Sequence, residues 1–148
     1  MRIVIQRVSR AEVRVDNAVV GRIDQGMLLL VGIEKGDVAE DLDAFSEKVL
    51  HMRIFEDNAG KMNRSALDIG AGILVVSQFT LAADLSRGRR PGFERAAPPR
   101  EAEELYDRFV GRLRRSPLRI ETGRFRAFME VELVNGGPVT FVLEGRER

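Results

Sequence analysis

Gly72-Ile73-Leu74-Val75-Val76-Ser77-Gln78-Phe79-Thr80-Leu81 is the stretch on which the fold turns, because it begins as an apolar strand and ends in a polar cluster. The run from Ile73 to Val76, with Gly70 and Gly72 ahead of it, suits a central strand covered on both faces. Ser77, Gln78 and Thr80 then put hydroxyl and amide groups at the strand's end, where buried polar atoms need partners or a ligand. Two readings fit this segment alone: these groups tie down the following loop, or they face something the chain binds.

Upstream of that strand, short apolar runs at Ile3-Val4-Ile5, Val13 and Val15, Val19-Val20 and Met27 to Val31 alternate with turn signals at Asp16-Asn17 and Asp24-Gln25-Gly26, which predicts a β-meander over residues 1–34. From Asp37 the period changes. Val38, Leu42, Phe45, Val49 and Met52 recur at spacings of four and three, predicting an amphipathic helix over 37–52, followed by a short strand at Ile54-Phe55 and a turn at 56–60. Downstream, Asp84 to Pro99 is too rich in glycine, proline and arginine for regular structure, and a loop of that length in a compact domain is usually functional or mobile. Ala102, Leu105, Tyr106, Phe109, Val110 and Leu113 mark a second helix over 100–116. The last strands fall at 120–122, 129–134 and 139–143, the final pair joined by Asn135-Gly136-Gly137-Pro138. The fold class expected is α+β: a mostly antiparallel, curved or barrel-like sheet with two main helices, in one domain over residues 1–148.

Composition narrows the chemistry. The chain has no cysteine, which excludes disulfides, thiolate nucleophiles and cysteine-metal sites, and its one histidine, His51, excludes a polyhistidine site. Neither a metal nor a cofactor is expected. Charges at Arg2 and Arg7 and the absence of a long apolar run do not fit a signal peptide, and no segment approaches membrane-spanning length, so a soluble cytoplasmic protein with no membrane partner is expected. The net charge of +1 hides an asymmetry: residues 87–126 hold 12 arginines against 6 acids. That segment is either a solvated surface or a face for a phosphate-bearing partner such as RNA, since arginine forks onto phosphate.

Ser77 or Thr80 as a nucleophile would need a base, and His51 sits at a helix end, where a cation at the C-terminal dipole explains it better. Asp84, near the end of the strand, has no carboxylate to pair with. An enzyme built from these residues works by positioning and backbone donors, or borrows a group from its substrate. Gly137-Pro138 is a second signal, since an X-Pro bond is the kind for which cis costs only about 0.5–1 kcal/mol. It reads as a hairpin turn or as a recognition element. A third is Thr122-Gly123-Arg124-Phe125-Arg126-Ala127-Phe128-Met129, where aromatic and thioether groups among arginines either stack on a base or pack in the core.

Taken together, Gln6-Arg7-Val8, Arg53-Ile54-Phe55, Gly60-Lys61-Met62-Asn63, Ser77-Gln78-Phe79-Thr80-Leu81, Arg90-Pro91 with Phe93, Thr122-Gly123-Arg124-Phe125, and Asn135 with Gly137-Pro138-Val139-Thr140 resemble the D-aminoacyl-tRNA deacylase family, also described as D-tyrosyl-tRNA(Tyr) deacylases, from residue 1 to about 143. The resemblance implies a homodimer that hydrolyses the ester between a D-amino acid and the 3′-terminal adenosine of tRNA, and that also acts on mischarged glycyl-tRNA. It implies that Gly137-Pro138 is a cis dipeptide inserted into the partner's site, where it rejects L-residues by collision, with Arg7 supporting it. Ser77, Gln78, Phe79 and Thr80 would line the catalytic site, with backbone N–H groups near residues 78–79 holding the substrate carbonyl and the ribose 2′-hydroxyl assisting. Gly123, Phe125 and Met129 would hold the adenosine, and Arg87, Arg89 and Arg90 would contact tRNA phosphates. The family pattern is broken at Arg126, Gly92 and Gly136. The alternatives are a non-catalytic tRNA-binding module and a conventional serine or threonine esterase.

Overall fold

A computed structural model describes residues 1–145. The predicted central strand is β6, Gly72–Ser77, and it lies between two parallel neighbours, β3 (Gly26–Gly32) and β7 (Ile120–Thr122). Its side chains alternate between two cores. Ile73 and Val75 join a large cluster under the helices, whereas Leu74 and Val76 join a smaller one on the opposite face with Val8, Val13, Ile23 and Leu28. Burial on both faces is the reason for an unbroken apolar run.

The remaining large strands are antiparallel and centre on β1, Arg2–Val15. On one side β1 pairs first with β3 and then with β2, Ala18–Ile23; on the other it pairs with β8, Glu130–Glu144, over nearly its whole length. The sheet curls until its ends approach. A Cβ at Gly21 in β2 would stand 2.4 Å from the Thr122 carbonyl oxygen of β7, so the nearly closed, barrel-like shape requires glycine there. The expected α+β, mostly antiparallel architecture is present, with a small hairpin of β4 (Phe55–Glu56) and β5 (Met62–Arg64) beside it.

Both main helices form close to their predicted positions: α1 over Ala39–His51 and α3 over Pro99–Leu113, with a single turn, α2, over Ala66–Ile69 between them in sequence. Leu42, Val49 and Leu50 of α1 and Tyr106, Phe109, Val110 and Leu113 of α3 are buried against the sheet. Proline at the first position of α3 has no N–H to leave unpaired. Asp43 of α1 accepts from Arg108 and Arg112 of α3 at 2.9 and 2.6 Å, tying the helices together across their exposed side.

Two expectations are corrected. The first runs of the meander are a single 14-residue strand. The last pair of strands is also one strand, and Asn135-Gly136-Gly137-Pro138 is not a hairpin turn. Gln6 pairs with Thr140 and Val8 with Asn135, so β8 holds extra residues opposite Arg7 and bulges outward there. Glycine, asparagine and proline suit a bulge for the same reasons they suit a turn, and sequence alone does not separate the two.

Candidate active site

Ser77 ends β6, and the chain then enters a 3-10 turn over Phe79–Ala82. Gln78 enters that turn with its N–H donating to the Val31 carbonyl at 2.8 Å, and Leu81 N–H closes it onto the Gln78 carbonyl at 3.2 Å. One of the backbone donors expected to face substrate is therefore taken by β3. The N–H groups of Phe79 and Thr80 open the turn and, among the described residues, donate to no backbone acceptor. The Gln78 side-chain amide donates to the Thr80 hydroxyl, a contact that orients the hydroxyl and cannot take its proton. His51 is at the far end of α1, 3.5 Å from Glu47. Asp84 accepts from Ser86 N–H at 2.9 Å, and that hydroxyl and amide together hold its carboxyl below the usual range.

The residues expected to hold adenosine follow β7 in sequence. Gly123 N–H and the Tyr106 hydroxyl both donate to the Val75 carbonyl, at 3.0 and 2.9 Å, which fixes the start of the 123–129 segment and the face of α3 to the same strand. Burial pushes the Tyr106 hydroxyl pKa far up, so it stays a donor. The Phe125 ring packs on Tyr106 with centroids 5.9 Å apart. Met129 lies across Gly123 so closely that a Cβ there would be 2.6 Å from its sulfur. Gly123 and Met129 pack together on the smaller core, whereas Phe125 packs on Tyr106 against the larger one, and all three are half-buried.

Arg7, Gly137 and Pro138 lie elsewhere. The Gly137–Pro138 peptide is cis, and both residues are exposed on the bulge of β8. Arg7 donates from Nε to the Gly136 carbonyl and from Nη1 to the Ile54 carbonyl, each at 2.9 Å, with Glu56 at 3.5 Å beyond. A cleft of about 540 Å³ opens beside Arg7 and Gly136. At the other end of β1, Arg2 reaches the Leu81 carbonyl at 3.4 Å, so five residues of strand, about 16 Å, separate the dipeptide's neighbour from the neighbour of the Phe79–Ala82 turn. Within one chain these two groups do not meet. Arg87, Arg89 and Arg90 are exposed in the loop after the turn, and among the described residues they make no hydrogen bond or ion pair.

Sequence reading passed over two residues. Tyr106 reads in the sequence only as part of a helix face, although a buried tyrosine needs a partner for its hydroxyl and here donates to the Val75 carbonyl. Arg2 reads in the sequence only as a charge near the N-terminus; in the structure it links the Phe79–Ala82 turn to Glu144 at the end of β8, 3.0 Å away.

Comparison with solved structures places the fold. c-Myc DNA Unwinding Element Binding Protein matches with a TM-score of 0.94 and 39% identity, covering 99% of this chain and 100% of that one. A probable eukaryotic D-amino acid tRNA deacylase has the same fold at a TM-score of 0.81 and 20% identity, covering 96% and 97%. These likenesses define the class by its fold, a barrel-like α+β sheet shared with both chains. The family profile described as D-Tyr-tRNA(Tyr) deacylase matches residues 4–144. The D-aminoacyl-tRNA deacylase of Anaeromyxobacter dehalogenans (strain 2CP-C) is 55% identical over 99% of this chain and 98% of its own, and that of Geobacter metallireducens (strain ATCC 53774 / DSM 7210 / GS-15) is 56% identical over 97% and 95%. The chain belongs to the D-Tyr-tRNA(Tyr) deacylase family and is a hydrolase.

Proposed function

We propose that the protein hydrolyses the ester of D-aminoacyl-tRNA, and of glycyl-tRNA mischarged on the wrong tRNA, at a site completed by two copies of the chain. The terminal adenosine lies on the shelf of Gly123, Phe125 and Met129. The ester carbonyl points at the N–H groups of Phe79 and Thr80, which hold the negative charge that develops on its oxygen. Water adds to the carbonyl carbon, the bond to the ribose oxygen breaks, and that oxygen leaves with a proton. The neighbouring ribose 2′-hydroxyl assists, since the Thr80 hydroxyl is held by an amide and has no base beside it.

Selection falls to Gly137 and Pro138 of the second copy, whose backbone carbonyls face the substrate's amino group and Cα. An L side chain collides with that backbone, and a D side chain points away. Glycine has nothing to collide, so it is accepted. No pocket is fitted to a particular side chain, and broad tolerance among D-amino acids follows.

One observation carries this reading: the dipeptide is exposed on an outward bulge, braced by Arg7, and about 16 Å along β1 from the turn of its own chain. A rigid backbone element displayed away from every reacting group of its own protomer is suited to a partner's site. β8 supports the same homodimer, because a 15-residue edge strand with Val134, Phe141 and Val142 exposed is a surface that soluble proteins usually cover. No helix among the described residues is long and apolar enough to cross a membrane, which agrees with action on tRNA in the cytoplasm.

The test is turnover by trace amounts of purified protein on D-tyrosyl-tRNA, L-tyrosyl-tRNA and glycyl-tRNA. Loss of the D-tyrosyl and glycyl esters with the L-ester intact is the expected result. Stability of all three would leave a non-catalytic tRNA-binding module.

A further inference from the structure

Beside the catalytic turn stands an aromatic pair to which the proposed chemistry gives no task. Phe79 is 58% exposed and Phe93 38% exposed, with ring centroids 5.1 Å apart and planes tilted by 57°. Burying such rings is worth more than leaving them in water, so a wet pair signals an absent partner. Phe93 is also held in place. The loop before it is closed at its neck by Asp84 N–H to the Gly92 carbonyl at 2.7 Å and Gly92 N–H to the Asp84 carbonyl at 2.9 Å. The segment after it is held by Lys35 N–H to the Arg95 carbonyl at 2.9 Å and Ala97 N–H to the Ile33 carbonyl at 3.1 Å. Between the neck bonds the loop carries Arg87, Arg89 and Arg90, all exposed and unpaired among the described residues.

A fixed aromatic surface flanked by free guanidinium groups is the arrangement that takes an unstacked base on its ring face and the backbone phosphate on its cations. Phe79 is also adjacent in sequence to Thr80, so an occupant of the pair lies next to the reacting ester. We infer that the Phe79–Phe93 pair is a second nucleotide subsite, stacking the base of the unpaired nucleotide that precedes the terminal adenosine. This rests on the proposed deacylase function and adds what that reading does not use: recognition of the single-stranded 3′ end beyond its last nucleoside.

The test compares one-nucleoside and two-nucleotide ligands. Wild-type protein binds the dinucleotide cytidylyl-adenosine about tenfold more tightly than adenosine, the scale of one stacked base, and Phe93→Leu removes that advantage while leaving adenosine binding unchanged. In turnover, Phe93→Leu raises KM for D-aminoacyl-tRNA about tenfold with kcat unchanged, leaves D-aminoacyl-adenosine unaffected, and is rescued by Phe93→Trp. Equal affinity of wild type for the two ligands overturns the subsite, whether or not the protein cleaves D-esters. A KM effect seen with D-tyrosyl-tRNA and absent with D-alanyl-tRNA would make the occupant the amino-acid side chain. Dissociation of the Phe93→Leu protein into monomers on sedimentation would make the pair a contact between protomers. Either of these outcomes also overturns the inference. If wild-type protein binds the dinucleotide preferentially yet leaves D-tyrosyl-tRNA intact, the deacylase reading fails and the subsite stands.

Discussion

β6 and β8 are opposites. Five of the six β6 residues are buried, each side of it is taken by a parallel neighbour, and it ends in a turn whose polar groups are held in place. No residue of β8 is fully buried, only one of its edges is paired, and at Gly137–Pro138 it bulges away from the sheet. The chain keeps the groups proposed to meet the ester in the turn that directly follows its best-packed strand and the group proposed to choose the enantiomer on its least-packed one. Charge stabilisation needs donors that do not move when charge develops, which a buried strand end supplies. A steric filter lent to a second molecule has to be outside the fold that makes it, and only its own bracing needs to be internal.

The contrast predicts where damage matters. Gly137→Ala carries the largest effect: an L side chain is strained at φ +131°, and its Cβ would stand 2.9 Å from Val139 Cγ2 and 3.0 Å from Arg7 Nη2, so the dipeptide or these neighbours must shift. The ratio of D-tyrosyl-tRNA to L-tyrosyl-tRNA hydrolysis is expected to fall roughly 10- to 200-fold, and an unchanged ratio would take the dipeptide out of selection. Arg7→Met follows. Loss of the bonds to Gly136 and Ile54 costs about 2 kcal/mol in urea unfolding and loosens selectivity by about tenfold; a stability loss with full selectivity would make Arg7 a fold residue only.

Away from the dipeptide the effects are smaller, and the next two fall on stability. Tyr106→Phe leaves the Val75 carbonyl with Gly123 N–H alone and is expected to cost about 1 kcal/mol, checked by thermal melting. Asp43→Asn tests the link between α1 and α3. Hydrogen bonds from Arg112 and then Arg108 depress the Asp43 pKa in the folded state below its ordinary 3.8, so the carboxylate's contribution is fully present above pH 3.8 and is lost as pH falls through the depressed value. The melting temperature of wild type should therefore exceed that of Asp43→Asn by a constant margin from pH 7 to about 5, and the margin should narrow below pH 3.8. The smallest effect is expected at the residue that looks most catalytic: Thr80→Ala should keep D-ester turnover within about threefold of wild type, whereas a loss of several orders of magnitude would restore a threonine nucleophile.

The buried half was legible in the sequence and the exposed half was not. An apolar run between glycines and heptad-like spacings at Leu42, Phe45, Val49 and at Tyr106, Phe109, Val110, Leu113 report burial directly, and β6, α1 and α3 formed where they indicated. β1 was broken into pieces because its inward face changes parity, from Ile3 and Ile5 to Val8 and back to Ala11, Val13 and Val15. Pairing irregularities with β8 around Val8 cause that slip, and they belong to a strand more than a hundred residues away. The same irregularity made the 135–138 segment look like a turn. Of the site, residue types at 122–129 left stacking on a base and core packing both open, and the adenosine role of Gly123, Phe125 and Met129 comes from the family resemblance and belongs to the proposed function. Arg2 and Tyr106 were missed because their roles are set by single long-range hydrogen bonds, to Leu81 and Val75, that leave no periodic trace.

Subunit complementation tests the composite site most directly. Gly123→Leu crowds Met129 in the shelf proposed for adenosine, and Gly137→Leu displaces the dipeptide because its side chain runs into Val139 and Arg7, so each variant alone is expected to be inactive on D-tyrosyl-tRNA. Unfolding and refolding the two together makes mixed dimers in which one of the two sites has an intact shelf and an intact dipeptide. About a quarter of wild-type D-ester turnover should then return if dipeptide and turn come from different chains. No recovery from a mixture shown to contain the mixed dimer would mean that each chain builds its site alone.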